Sequence, residues 1–173
     1  FEDEISPIEV VSKKHKEFIN RDEQPFKSNI NKIPFLKPAF KANGTVTAAN
    51  SSSISDGASS IMIMKETEAE KRGIKPLARI ICHSTNSHQP NWFTTAPIGA
   101  IRKVLEKSNL KIGDIDLFEV NEAFAVVPMA VMKELSISDK ILNINGGACA
   151  LGHPVGASGA RIVTTLINSL RKN

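Results

Sequence analysis

Two groups of residues in this sequence carry side chains suited to chemistry on ordered turns. One is Asn121-Glu122-Ala123-Phe124, which follows the short apolar run LFEV. The other is GGACALGHPVGASG, Gly146 to Gly159, which follows ILNIN. In open α/β sheets, ligands bind just beyond the carboxyl ends of the strands. If LFEV and ILNIN are neighbouring strands, Asn121 and His153 face one crevice. His153 stands between Gly152 and Pro154, shortly before a helix expected to begin near Ala157 or Ser158. Backbone N–H groups at that helix start disfavour imidazolium and keep the ring neutral. A neutral imidazole near pH 7 takes a proton from a nucleophile or donates its N–H to a developing oxyanion. The flanking glycines let the backbone approach a ligand closely. The competing reading is a structural histidine beside a tight glycine turn.

Other candidates are weaker. The glycine-rich stretch is neither GxxxxGK[ST] nor GxGxxG and holds no lysine, so a nucleotide cradle is disfavoured. Cys149, four residues before His153, invites a Cys–His dyad. Its ALG flank and cysteine's usual burial favour a small packed residue instead. Ser51, Ser52, Ser53 and Ser55 can hydrogen-bond an amide-bearing ligand, or can equally cap helices and form turns. Trp92 and Phe93 can line an apolar slot or anchor a loop. His83 and His88 lack a third partner at ligand spacing, so no metal site is expected.

The elements that must position these groups follow from periodicity and turn chemistry. Residues 1–44 hold Pro7, Pro25, Pro34 and Pro38 and few periodic apolar positions. They read as a loop-rich segment, anchored by Phe35, Leu36 and Phe40, that needs a larger body to lie against. IMIM and LARIICHS read as short buried strands. ETEAEKRG between them reads as an exposed helix closed by Gly73, acids leading and bases trailing. Thr94 or Thr95 can cap a helix with Pro97 in its first turn and Ile98, Ile101, Val104 and Leu105 at helical spacing. EAFAVVPMAVMKEL reads as an apolar helix kinked at Pro128. A last helix follows the glycine loop, its apolar stripe Ile162, Val163, Leu166, Ile167 and Leu170. The alternation of helix and strand implies an α/β layer with mostly parallel strands.

Composition narrows the class. The 173 residues are 41% apolar and 23% charged, an ordinary globular mixture. No apolar run is long enough for a membrane span. The start, FEDEISPIEVV, is acidic where a signal peptide is basic, so secretion is not expected. The net charge of +4 is spread thinly and not interleaved with aromatics, against a nucleic-acid partner. Two cysteines without CxxC spacing suit a reduced, cytoplasmic protein.

Four blocks together carry a resemblance: GTVTAANSSSISDGAS, WFTTAPIGAIRKVLEK, DIDLFEVNEAFAV and NINGGACALGHPVGASGARI. The sequence resembles the thiolase family, in particular its acetyl-CoA acetyltransferase branch, over essentially the whole chain. The resemblance implies a layered αβαβα fold of two similar halves with an inserted loop domain. By it, residues 1–44 correspond to the end of the loop domain and 45–77 to the last part of the N-terminal half. Residues 78–173 correspond to the C-terminal half without its final strands.

The implied reaction condenses two acetyl-CoA to acetoacetyl-CoA, or runs the thiolytic reverse, within fatty acid metabolism. The coenzyme A thioester is substrate, and no further cofactor is expected. By resemblance His153 activates the nucleophile and helps build an oxyanion hole, and Asn121 holds a water in that hole. Phe124, Phe93 and Phe40 correspond to lining of the acyl and pantetheine pocket, and Ser52 and Ala48 to contacts with the pantetheine arm. The family's two catalytic cysteines have no matching motif, and Cys82 and Cys149 sit in neither position.

This chain by itself is therefore expected not to turn over acetyl-CoA. An N-terminal half, if separately encoded, is the expected partner, and the intact family implies a homo-oligomer. The alternative is a catalytically inactive acyl-CoA-binding or interaction remnant. Residues 45–77 are expected to leave strand edges and apolar faces that favour self-association.

Overall fold

The structure, a computed structural model, describes residues 1–12 and 15–172. Strands β1 (Ile8–Val11) and β2 (Lys16–Ile19) form an antiparallel hairpin, Ile8 opposite Ile19. A short helix α1 (Gln24–Lys27) and a 3-10 segment (Ile30–Phe35) follow. The N-terminal segment is thus more ordered than expected, but Phe35 is not an anchor. It is 84% exposed, whereas Phe40 reaches the ring of Phe124.

Helix α2 (Glu66–Lys71) ends as expected, with Gly73 in the left-handed region at φ +65°. Helix α3 (Ala96–Ser108) carries Pro97 in its first turn, but Thr95 does not cap it through its side chain. The Thr95 hydroxyl donates instead to the carbonyl of Trp92. Helix α4 spans Val126–Leu135. It begins later than expected, which puts Pro128 in the first turn, where no intrahelical N–H is required and no kink follows. Helices α5 (Ala148–Leu151) and α6 (Ser158–Lys172) flank the GHP turn.

The core lies between α3 and α4 and the two extended segments before the site. Ile98, Val120, Val127, Val131, Ile137 and Leu142 are buried together, with Phe118 and Phe124 packed against them. LFEV and ILNIN do not form the strands expected of them: segments 117–120 and 141–145 are joined by a single parallel bridge between Phe118 and Leu142. Phe118 N donates to Ile141 O at 2.7 Å, and Asn143 N donates to Phe118 O at 2.9 Å.

Two further expectations are corrected here. IMIM and LARIICHS are not buried strands: Met62, Ile63, Leu77, Ile80 and Ile81 are exposed, and these segments belong to no ladder among the described residues. A strand draws its stability from cross-strand pairs, and apolar sequence without a neighbouring strand forms none. Helix α6 also buries a different face from its expected stripe. Ser158, Thr165 and Ser169 are its buried residues, while Val163 and Leu170 are exposed. Small side chains let other segments come close. Thr165 Oγ1 donates to Glu4 Oε2 at 2.8 Å, and Asn145 Nδ2 donates to Ser169 Oγ at 2.7 Å.

Candidate active site

Asn121 and His153 meet. Asn121 Nδ2 lies 3.2 Å from His153 Nε2, although 32 residues separate them in sequence. The parallel pairing of Phe118 with Leu142 delivers the two following turns to one place. A third segment, 50–55, is wedged between those turns. Ser52 N donates to Ala123 O, Ala125 N to Asn50 O, and His153 N to Ser53 O at 3.0 Å. Ser51 pairs with Phe124 and Ile54 with His153. The two pairing points are three residues apart, about 10 Å along an extended backbone.

The hydrogen bonds around the ring suit the neutral form protonated on Nδ1. An amide nitrogen only donates, so Asn121 Nδ2 meets a bare Nε2. The proton of a neutral imidazole is then on Nδ1, which lies 2.6 Å from Ser158 Oγ. Ser158 Oγ in turn donates to Pro154 O at 3.1 Å. One relay thus runs from Asn121 through the imidazole and Ser158 to the backbone, and the single lone pair of Nε2 is the one that accepts from Asn121. Asn121 Oδ1 is buried without a hydrogen-bond partner.

Phe124 sits at the centre of an aromatic cluster. Its ring centroid is 6.1 Å from Phe40 at an interplanar angle of 69°, and 6.2 Å from Phe93 at 58°. Each such pair contributes about 0.5–1.5 kcal/mol beyond simple burial. Phe40 and Phe93 remain exposed and present a face to solvent. Ser52 and Ala48 are less free. The Ser52 hydroxyl donates to Ala123 O at 2.9 Å, and Ala48 lies in a 3-10 turn (Ala48–Asn50) capped reciprocally by Thr47 and Asn50.

Three residues at the site carry roles that sequence reading missed. Ser158 stood out only as a helix start, although its place five residues after His153 lets it turn back onto the ring. Glu122 accepts from Cys149 N at 3.1 Å and from Asn143 Nδ2 at 2.9 Å. Asn143 also bonds both the N–H and the carbonyl of Val120, each at 2.8 Å. The only signal for Asn143 was a polar residue interrupting an apolar strand.

Cys149 is a poor nucleophile. Burial pushes its thiol up to about 11, reinforced by the charge of Glu122 and a hydrogen bond to it. Thiolate carries the reactivity, so Cys149 at pH 8 is expected to alkylate with iodoacetamide about 100-fold more slowly than an ordinary protein thiol. Mass spectrometry of timed aliquots reads this directly, and alkylation of Cys149 at the ordinary rate would contradict it.

Glu119, two residues before Asn121, is the other perturbed group. Its side chain is 4% exposed and lies 3.9 Å from Arg161 Nη1. Burial pushes its pKa up to about 7, against the opposing pull of Arg161 and with help from Glu122 and Glu4. A carboxyl raised above its unfolded value contributes stability that is complete below pH 4.5 and lost as pH rises through about 7. Denaturant midpoints between pH 4.5 and 8 should contain this falling component, and Glu119→Gln should remove it. An identical pH profile in the variant would contradict the assignment.

Among the described residues, no helix is long and apolar enough to cross a membrane, and no cluster of His, Cys, Asp and Glu could hold a metal ion. Comparison with known proteins places the chain. Residues 1–67 match the family model "Thiolase, N-terminal domain" and residues 74–173 match "Thiolase, C-terminal domain". A probable acetyl-CoA acetyltransferase of Dictyostelium discoideum is 50% identical over 172 residues, which are 99% of this chain and 42% of that protein. The cytosolic acetyl-CoA acetyltransferase of Mus musculus is 46% identical over 99% of this chain and 44% of its own length. The crystal structure of the Bacillus anthracis acetyl-CoA acetyltransferase superposes with a TM-score of 0.91 at 39% identity, covering 98% of this chain and 43% of that one. The chain thus spans less than half the length of the relatives it matches. With an α/β fold of thiolase type and matches to both domain models, the chain belongs to the thiolase family.

Proposed function

We propose that this chain contributes the proton-transfer and oxyanion side of a thiolase-type acyl-transfer site. The reaction is the condensation of two acetyl-CoA to acetoacetyl-CoA or its thiolytic reverse. The observation that carries the reading is the relay Asn121–His153–Ser158, with its lone pair on Nε2. In this reading an attacking thiol displaces the Asn121 amide from that lone pair and gives its proton to it, and Ser158 stays bonded to Nδ1–H throughout. The resulting imidazolium presents Nε2–H to the oxyanion of the tetrahedral intermediate, and the Asn121 amide offers a second donor beside it. Phe124 with Phe93 and Phe40 forms the wall for the acyl and pantetheine chain. Neither cysteine in hand fits the nucleophile's role, Cys149 least of all. In this reading the family's reactive cysteines act from outside residues 1–173. A homo-oligomer of the complete enzyme and a cytoplasmic location complete the reading. The name of the mouse relative supports that location.

The test is a chimaera in which residues 1–173 replace the matching segment of an acetyl-CoA acetyltransferase. CoA-dependent cleavage of acetoacetyl-CoA within about tenfold of the parent supports the reading. A soluble, folded chimaera without turnover, whose parent is active, overturns it.

A further inference from the structure

We propose that Glu122 is a positioning residue, clamping the turn that carries His153 to the segment that carries Asn121. Its carboxylate reaches three segments at once. It stands on the Asn121 segment, takes a hydrogen bond from Asn143 Nδ2 on segment 141–145, and takes another from the backbone N–H of Cys149 at the start of α5. Two charge-assisted bonds on one carboxylate are the stronger kind of side-chain tether. Asn143 extends the clamp. It sits at φ +49°, which turns its amide back to bond both backbone groups of Val120, as a neighbouring strand would.

The fit around the carboxylate is close. A Cβ at Gly147 would stand 2.5 Å from the Glu122 carboxyl carbon, so this glycine is what lets the carboxylate lie over the turn. The Cys149 thiol donates to the Glu122 carbonyl at 3.7 Å, a second tie between the same two residues. From Cys149 to His153 the chain makes one helical turn and the Gly152 bend. From Glu122 to Asn121 it is one peptide bond. The clamp is therefore the short path between the two side chains that meet at 3.2 Å.

Chemistry at this position is specific. A carboxylate has acceptors on both oxygens, and both are used by N–H donors. A glutamine of the same shape offers one acceptor and turns an NH2 group toward one of those donors.

This inference rests on the acyl-transfer reading for its purpose, but its test needs no substrate. Ser158 Oγ, whose proton goes to Pro154 O, and the Asn121 amide both favour the form protonated on Nδ1, and the clamp acts on the share that the amide contributes. A hydrogen bond of about 1–1.5 kcal/mol corresponds to a preference of roughly tenfold. Histidine-labelled chain is read by 15N NMR at pH 8, wild type against Glu122→Gln and Gly147→Ala. The glycine variant leaves every donor and acceptor in place and displaces only the carboxylate.

The expected result is a strong preference for the Nδ1–H form in wild type, reduced roughly tenfold in either variant, while far-UV circular dichroism stays unchanged. A wild-type preference retained in a folded variant overturns the proposal. Loss of folding in both variants also overturns it, because Glu122 would then sustain the fold as a whole. The tautomer change beside a folded chimaera without turnover would leave the clamp standing and sink the acyl-transfer reading instead.

Discussion

Replacing His153 by alanine in the chimaeric enzyme should lower kcat for acetoacetyl-CoA cleavage by about three orders of magnitude or more, with KM changed far less. Two effects combine in that figure. A positioned general base contributes roughly 10²–10⁴, and one donor to an oxyanion about 10²–10³. They are not additive, because the proton that His153 accepts is the one it then presents to the oxyanion. In the acyl-transfer reading proposed above, KM is spared because the ground-state thioester would rest on the aromatic wall, and the imidazole would meet charge only as it develops. Steady-state kinetics on purified chimaera tests this. A KM that rises while kcat holds would recast His153 as a binding residue. Asn121→Ala should cost less, about 10²-fold in kcat, since it removes one donor and leaves the base.

Gly152→Ala should unseat the GHP turn altogether. Gly152 adopts φ +98° and ψ 166°, a region that side chains scarcely enter. An added Cβ would stand 2.2 Å from Ser55 Oγ and 2.9 Å from Ser55 Cβ, so rotating the hydroxyl does not relieve the contact. Backbone strain alone costs about 1–3 kcal/mol, and overpacking adds about 1–3 kcal/mol. We expect a loss of at least about 2 kcal/mol in denaturant unfolding, a large fraction of a marginally stable fold. Because His153 N is bonded to Ser53 O, the same shift pulls the imidazole away from Asn121. A variant that melts within about 1 kcal/mol of wild type would show that the segment 50–55 moves aside freely.

The two predictions differ in how far sequence alone could carry them. That His153 is a candidate was legible in the order of residues around it, a histidine in a glycine turn shortly before a helix. Why Gly152 matters was not, because the side chain it must avoid belongs to Ser55, almost a hundred residues earlier.

Local interactions made the helices readable from sequence. The helical spacing of Ile98, Ile101, Val104 and Leu105 on α3 and the glycine stop after α2 act within a few residues. The positions of LFEV and ILNIN before their turns, and the blocks shared with thiolases, were equally plain in one dimension. Tertiary structure alone decided which groups touch. It joined Asn121 to His153, gave the Nδ1 proton to Ser158, spread Glu122 across two other segments and buried the polar face of α6 where an apolar stripe was expected. It also left IMIM and LARIICHS without a ladder, since an extended segment is a strand only when another lies beside it. The physical division is between bonds closed within one turn of chain, which residue order specifies, and bonds between segments distant in sequence, which exist only once packing has set their register.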